Sequence, residues 1–136
     1  MHAFREAIEA GNMNAVEALL TEDVVFTSPI LFKPYSGKAI TAAFLRAVIT
    51  RVFEDFRYER ELTGADGRDH ALVFAARVGD REVTGCDLIH LNEHGLIDEL
   101  TIMVRPLSGT QALAAAMGAQ FEQITKEAES RSTSAP

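Results

Sequence analysis

Two runs of alternating residues, Ala71 to Val78 and Arg81 to Leu91, meet at Gly79-Asp80, and this junction constrains the fold more than any other stretch of the chain. Glycine followed by aspartate between two β-rich runs predicts a two-residue hairpin turn. Val78 then pairs with Arg81, and counting back along both strands sets Leu72 opposite Asp87. Directly opposed residues of an antiparallel pair share a face. One face therefore carries Leu72, Phe74, Ala76, Val78, Val83, Asp87, Ile89 and Leu91. The other holds a more mixed set: Val73, Ala75, Arg77, Glu82, Thr84, Cys86, Leu88 and His90. Asp87 thus belongs to the apolar side, the one that helices are expected to cover. An unpaired carboxylate there is costly as an anion, so a raised pKa and a protonated side chain are expected. A one-residue slip at the turn would reverse this placement.

The rest of the pattern supplies the cover. Phe4, Ala7 and Ile8 mark a short amphipathic helix ending at Gly11, and Asn12 caps a second helix with Val16, Leu19 and Leu20 inside. Asp23 to Ser28 reads as a strand stopped by Pro29, and Ile30 to Gly37 as a loop. Lys38 to Phe53 is the longest helix, with Ile40, Phe44 and Val48 flanked by Leu45, Ile49 and Val52 in one wide apolar stripe. Phe56, Tyr58, Arg60 and Leu62 alternate with Arg57, Glu59 and Glu61, as a half-exposed strand does. After the hairpin come a turn at Asn92 to Gly95 and a last strand, Ile97 to Arg105, ended by Pro106. Ser108 and Gln111 form a capping box for a final helix bearing Leu113, Met117, Phe121 and Ile124. Helices followed by an antiparallel meander make an α+β plan, with the helices gathered on one face of a curved sheet.

With 136 residues, 47% of them hydrophobic, the chain suits one domain, expected over 1–128, with 129–136 a disordered tail. The net charge of −7, without a basic cluster, argues against nucleic acid and anionic membranes as partners. No apolar run approaches the ~20 residues of a membrane span. A single cysteine, Cys86, allows no intrachain disulfide and fits a cytoplasmic location.

Three stretches carry a resemblance: AGNMNAVEALLTEDVVFTSP (Ala10 to Pro29), YSGKAI (Tyr35 to Ile40) and GCDLIHLNEHGLIDEL (Gly85 to Leu100). Over residues 3 to 106 the chain resembles the NTF2-like superfamily, and within it the SnoaL-like and ketosteroid-isomerase-like proteins. The resemblance implies a cone: a strongly curved antiparallel sheet wrapped around the N-terminal helices, here with an extra C-terminal helix. It also implies a deep apolar pocket at the open end and homodimers formed through the outer sheet face.

By the same resemblance, Asp87 falls where ketosteroid isomerases keep a protonated aspartic acid that donates to the substrate carbonyl. Asn92 and Gly95 follow at the matching intervals. Their general base corresponds to Ser28, just before Pro29, and their tyrosine on the first helix to Phe4. A serine hydroxyl without a partner base does not shuttle protons near neutral pH, so steroid isomerisation by that mechanism is not expected. Epoxide hydrolases of the superfamily use an Asp-Arg-Asp set; here Gly85 stands at the arginine position two residues before Asp87, and Ile102 at the position of the second aspartate on the last strand. That activity is not expected either.

The expected site is a pocket for a hydrophobic small molecule, lined by Phe26, Phe44, Tyr58, Leu72, Phe74, Ile89, Leu100 and Ile102, with Asp87 and Ser28 as polar points. Two uses remain open. In one, protonated Asp87 donates a hydrogen bond to a carbonyl in a cofactor-free isomerase, cyclase or lyase step. In the other, the protein is a binding or dimeric interaction module without turnover. Cys86 lies on the far face with no histidine to activate it. His90 and His94 flank a strand end, where their spacing does not converge on a metal. No metal or cofactor is expected, and Asp98 and Glu99 read as a solvated strand end.

Overall fold

The structure, a computed structural model, describes the backbone of residues 2–134 and the side chains of residues 2–130. Two short helices open the chain: α1 (Ala3–Glu9) and α2 (Met13–Ala18), the second capped by Asn12, whose side chain accepts from Ala15 N at 3.1 Å. Strands β1 (Leu20–Thr27) and β2 (Tyr35–Ser36) precede helix α3 (Lys38–Ala47). Then come β3 (Glu54–Thr63), β4 (Asp69–Val78), β5 (Arg81–Leu91), β6 (Ile97–Arg105) and helix α4 (Leu107–Ser134). The six strands form one curved sheet in the order β2-β1-β6-β5-β4-β3. Every pairing is antiparallel except β1 with β6, which is parallel because the helices and β2–β5 intervene between them.

The hairpin adopts the predicted register. Val78 pairs with Arg81 and Leu72 with Asp87, while Gly79 takes a positive φ of 60° at the turn. The inner face, with Leu72, Phe74, Ala76, Val78, Val83 and Ile89, packs under the helices beside Phe4, Val16, Leu20, Phe26 and Leu45. Burying each large side chain of this kind is worth about 1.5–3 kcal/mol. Among the described residues no helix is long and apolar enough to cross a membrane.

Several elements depart from the pattern read in the sequence. β1 starts at Leu20 rather than Asp23, since Leu19 already closes α2. The expected loop of residues 30–37 contains β2, which pairs with Val25 and Phe26. The predicted helix over Lys38 to Phe53 is α-helical only to Ala47. From Val48 to Val52 it widens into a π-type turn, closed by Phe53 N donating to Val48 O at 2.7 Å.

In β3 the register shifts twice, between Glu54 and Arg57 and between Tyr58 and Arg60. The second bulge breaks the expected alternation: Glu61 takes the position opposite Leu72, and Leu62 faces solvent at 56% exposure. Helix α4 begins at Leu107, so Ser108 is already inside it and the expected capping box does not form. Thr110 Oγ1 instead donates to Val104 O at 2.8 Å, tying the helix start to β6. Residues 129–134 continue α4 where a tail was expected; the last two residues of that tail lie outside the described residues.

Candidate functional site

Asp87 points inward from the middle of β5 and is 4% exposed. Its neighbours across the strands are Leu72 on β4 and Ile102 on β6. From the edge strand, Tyr58 Oη donates to Asp87 Oδ2 at 2.9 Å. The other carboxyl oxygen, Oδ1, has no hydrogen-bond partner among the described residues. Burial pushes the Asp87 carboxyl up to about 7, and the Tyr58 donor, which favours the charged form, offsets only part of that rise. Burial and the nearby carboxyl push the Tyr58 hydroxyl well above its ordinary range. Burial thus favours the acid form of Asp87 relative to a solvated carboxyl. In the acid form Tyr58 occupies one oxygen, leaving the carboxyl proton on Oδ1 free to be donated.

This pair forms the polar floor of a narrow hollow. Its walls are Phe4 and Ile8 of α1, Leu45 of α3, Val48 and Ile49 of the π-type turn, and Phe53, Phe56, Phe74 and Ile102. Its interior holds about 10 Å³, room for a single water molecule. Four aromatic rings cluster in its lining. Phe56 lies edge-on to Tyr58 at 4.9 Å and stacks on Phe74 at 5.0 Å, while Phe53 is 5.5 Å from Phe74 and 5.7 Å from Phe56. Arg5 covers the outer side of Tyr58, its guanidinium 5.8 Å from the ring centroid, and pairs with Glu9 and Glu61.

Gly85, two residues before Asp87, explains how Phe74 reaches this position. A Cβ at residue 85 would meet the Phe74 ring at 2.2 Å and Met103 O at 2.8 Å. Any side chain there, an arginine included, would expel the ring.

Of the expected pocket residues, Tyr58, Phe74, Ile102 and Asp87 border the hollow. Phe26, Leu72, Ile89 and Leu100 do not border it; they are buried in the core cluster. Phe44 turns to the other side of α3. Ser28 is displaced too. Its Oγ accepts from Leu31 N at 3.1 Å and Ile30 N at 3.4 Å, bracing the chain as it leaves β1.

The walls contributed by Phe4, Ile8, Leu45, Val48, Ile49, Phe53 and Phe56 were not anticipated as such. A signal existed for Phe4, at the position where ketosteroid isomerases carry a tyrosine. The apolar stripe of the third helix marked Val48 and Ile49 as inward without saying what they face.

Other candidates take structural places. Burial raises the Cys86 thiol pKa, opposite to what a nucleophile needs. His90 Nδ1 bonds Asp98 Oδ1 at 2.6 Å on the outer sheet face, so Asp98 is not merely solvated. No cluster of three metal-binding side chains occurs among the described residues.

A curved sheet folded over helices, with one acid buried in an apolar interior, defines an NTF2-like protein, as the sequence resemblance implied. The model of the SnoaL-like domain family matches residues 1–100, and the chain belongs to that family. Two solved structures are similar throughout. A steroid delta-isomerase from Pseudomonas aeruginosa is 41% identical, with 90% of this chain and 89% of that one covered and a TM-score of 0.84. An uncharacterized bacterial protein with a cystatin-like fold, from Silicibacter pomeroyi, is 37% identical over 95% and 94% of the two chains, with the same TM-score. An NTF2-like protein of unknown function from Cytophaga hutchinsonii, 20% identical over 76% of this chain and 85% of its own, shares the fold at a TM-score of 0.58. No curated protein matches the chain.

Proposed function

We propose that this protein takes a small apolar carbonyl compound into the hollow above Asp87, which donates a hydrogen bond from its protonated carboxyl to the carbonyl oxygen. The observation that carries this reading is the buried Asp87–Tyr58 pair, with one carboxyl oxygen unpartnered and apolar walls on every other side. Such a donor, already desolvated and oriented, stabilises negative charge as it develops on oxygen, the requirement of a cofactor-free isomerase or cyclase step. The 41% identical relative's name, a steroid delta-isomerase, supports the same class of chemistry. Because the hollow holds about one water, a ligand must part the ring cluster, and Phe53 and Phe56, the partly exposed rings of its lining, are the side chains to move.

Binding without turnover is the second reading, and one observation favours it. Among the residues bordering the hollow only Asp87 exchanges a proton near neutral pH, and the Ser28 hydroxyl is engaged with the loop backbone. A proton moved between carbons would need a base from the substrate or from water admitted with it.

Titration with a β,γ-unsaturated ketosteroid, followed by carboxyl NMR and by product analysis, tests both. Saturable binding that raises the Asp87 pKa and is lost in Asp87→Leu supports the proposal; absence of binding overturns it. Turnover or its absence then separates catalysis from binding alone.

We further propose a homodimer through the outer sheet face. There Val25, Leu88 and Met103 are 39%, 41% and 49% exposed, and Val73, Thr84, Cys86 and Met103 line a shallow apolar depression.

A further inference from the structure

A second hollow lies on the other side of α3, away from Asp87. Tyr35, Ile40 and Phe44 form one wall and Met117, Gly118 and Phe121 of α4 the other, around about 340 Å³. The first wall is backed by a buried ring, since Phe26 stacks on Tyr35 at 6.1 Å and tilts against Phe44 at 4.7 Å. Among the described residues no charged side chain borders the space. Its one side-chain polar group is the Tyr35 hydroxyl, which has no hydrogen-bond partner among the described residues.

Gly118 carries the argument further. A glycine inside a helix lowers helix stability relative to alanine. Close packing often accounts for one, as at Gly109 of the same helix, where a Cβ would meet Val83 at 2.6 Å. At Gly118 a Cβ would meet nothing within 4 Å, and the residue borders the hollow. The missing side chain therefore widens the cavity instead of admitting a neighbour.

We propose that this hollow is a second small-molecule site, for a neutral, ring-bearing apolar compound that accepts one hydrogen bond from Tyr35. The volume lies within the range of small-ligand sites and is too small for a folded partner. The uncharged lining excludes ionised ligands, because nothing there offsets the loss of their hydration. The inference does not depend on how Asp87 is used.

The test uses prodan, a neutral two-ring ketone whose emission reports both polarity and hydrogen bonding at its carbonyl. Binding to the full chain is titrated for the wild type and for Gly118→Leu, Tyr35→Phe and Asp87→Leu. The wild type is expected to bind one prodan with blue-shifted emission. Gly118→Leu starts from a Cβ in open space, extends into the hollow and favours the helix, so it should weaken binding at least about tenfold while the melting temperature holds or rises. Tyr35→Phe should still bind, with emission shifted further to the blue as the carbonyl loses its donor. Asp87→Leu should bind as the wild type does.

Four results would each overturn the proposal: no saturable binding, equal affinity in Gly118→Leu, loss of binding only in Asp87→Leu, or displacement of prodan by self-association that Phe32→Ser abolishes. The last would assign the hollow to a second copy, whose fully exposed Phe32 follows Leu31 at the rim.

Discussion

Deleting one hydroxyl beside Asp87 should move the titration of that residue upward. Tyr58 Oη donates to Oδ2 at 2.9 Å, and a donor stabilises the carboxylate more than the acid. Tyr58→Phe removes the donor while keeping the ring that meets Phe56 and Phe74. A hydrogen bond to a charged group contributes about 1.5–3 kcal/mol and one to a neutral group about 0.5–1.5 kcal/mol. The difference, of order 1 kcal/mol, corresponds to roughly one pH unit at 1.36 kcal/mol per unit. The Asp87 carboxyl, at about 7 in the wild type, should therefore titrate about one unit higher in Tyr58→Phe.

The same shift has a stability counterpart of known sign. The folded pKa of Asp87, about 7, lies above the unfolded value near 3.9, so between these limits the native state holds a proton that the unfolded chain has released. The stabilisation is complete below about pH 4 and is lost as pH rises through about 7, a change of order 4 kcal/mol. In Tyr58→Phe the loss should extend about one unit further toward alkaline pH, and in Asp87→Asn, neutral throughout, it should vanish. Urea midpoints from about pH 4 to about pH 9 for the three proteins, with carboxyl NMR on the first two, make the comparison. If the Asp87 titration in Tyr58→Phe stays in place or moves down, the tyrosine does not act on the charged form and the account of the pair is wrong.

Gly85→Ala should lower stability by about 1–3 kcal/mol on thermal denaturation, because its Cβ would strike the Phe74 ring at 2.2 Å; an unchanged melting temperature would refute that contact. The hydrogen bond and charge of Asp98 raise the His90 pKa, so their stabilisation is full below the ordinary imidazole value near 6.5 and fades as pH rises through the higher folded value. The stability gap between wild type and Asp98→Asn should accordingly be larger at about pH 6 than at about pH 9, and urea midpoints showing the reverse would contradict it. Light scattering at micromolar concentration should find a dimer that Met103→Glu, placing a charge on the outer face, dissociates; a wild-type monomer would exclude that interface.

What was legible in the sequence depended on short-range rules. The turn at Gly79-Asp80 and the period of two along its flanking strands place Asp87 opposite Leu72 with no knowledge of the rest of the chain, and the structure has that pair. β3 obeys no such closed rule. Its alternation through Phe56, Tyr58, Arg60 and Leu62 reads without a break, yet the bulge after Tyr58 turns Glu61 inward, where it meets Arg5 of α1 at 3.6 Å. A residue inserted into a ladder leaves no mark in composition when the choice is made by a helix more than fifty positions away. The π-type turn is similar. Val48, Ile49 and Val52 suit an α-helix as well, and only the bond from Phe53 N to Val48 O reveals the widening that precedes the Phe53 wall.

The lining of a pocket is harder to read from sequence, for a different reason. The hairpin pattern puts Leu72 and Ile89 on the inner face, and both are buried, but burial and bordering a void are separate properties. The first follows from one strand's pattern. The second is the mismatch between two packed surfaces, which no single strand's pattern contains. Near Asp87 a gap survives because Phe4, Ile8 and the π-type turn meet the sheet around a side chain that cannot fill the space a larger apolar residue would take. Asp87→Leu would close that gap with hydrocarbon, which is why a ligand role for the aspartate is a physical alternative to a purely structural one.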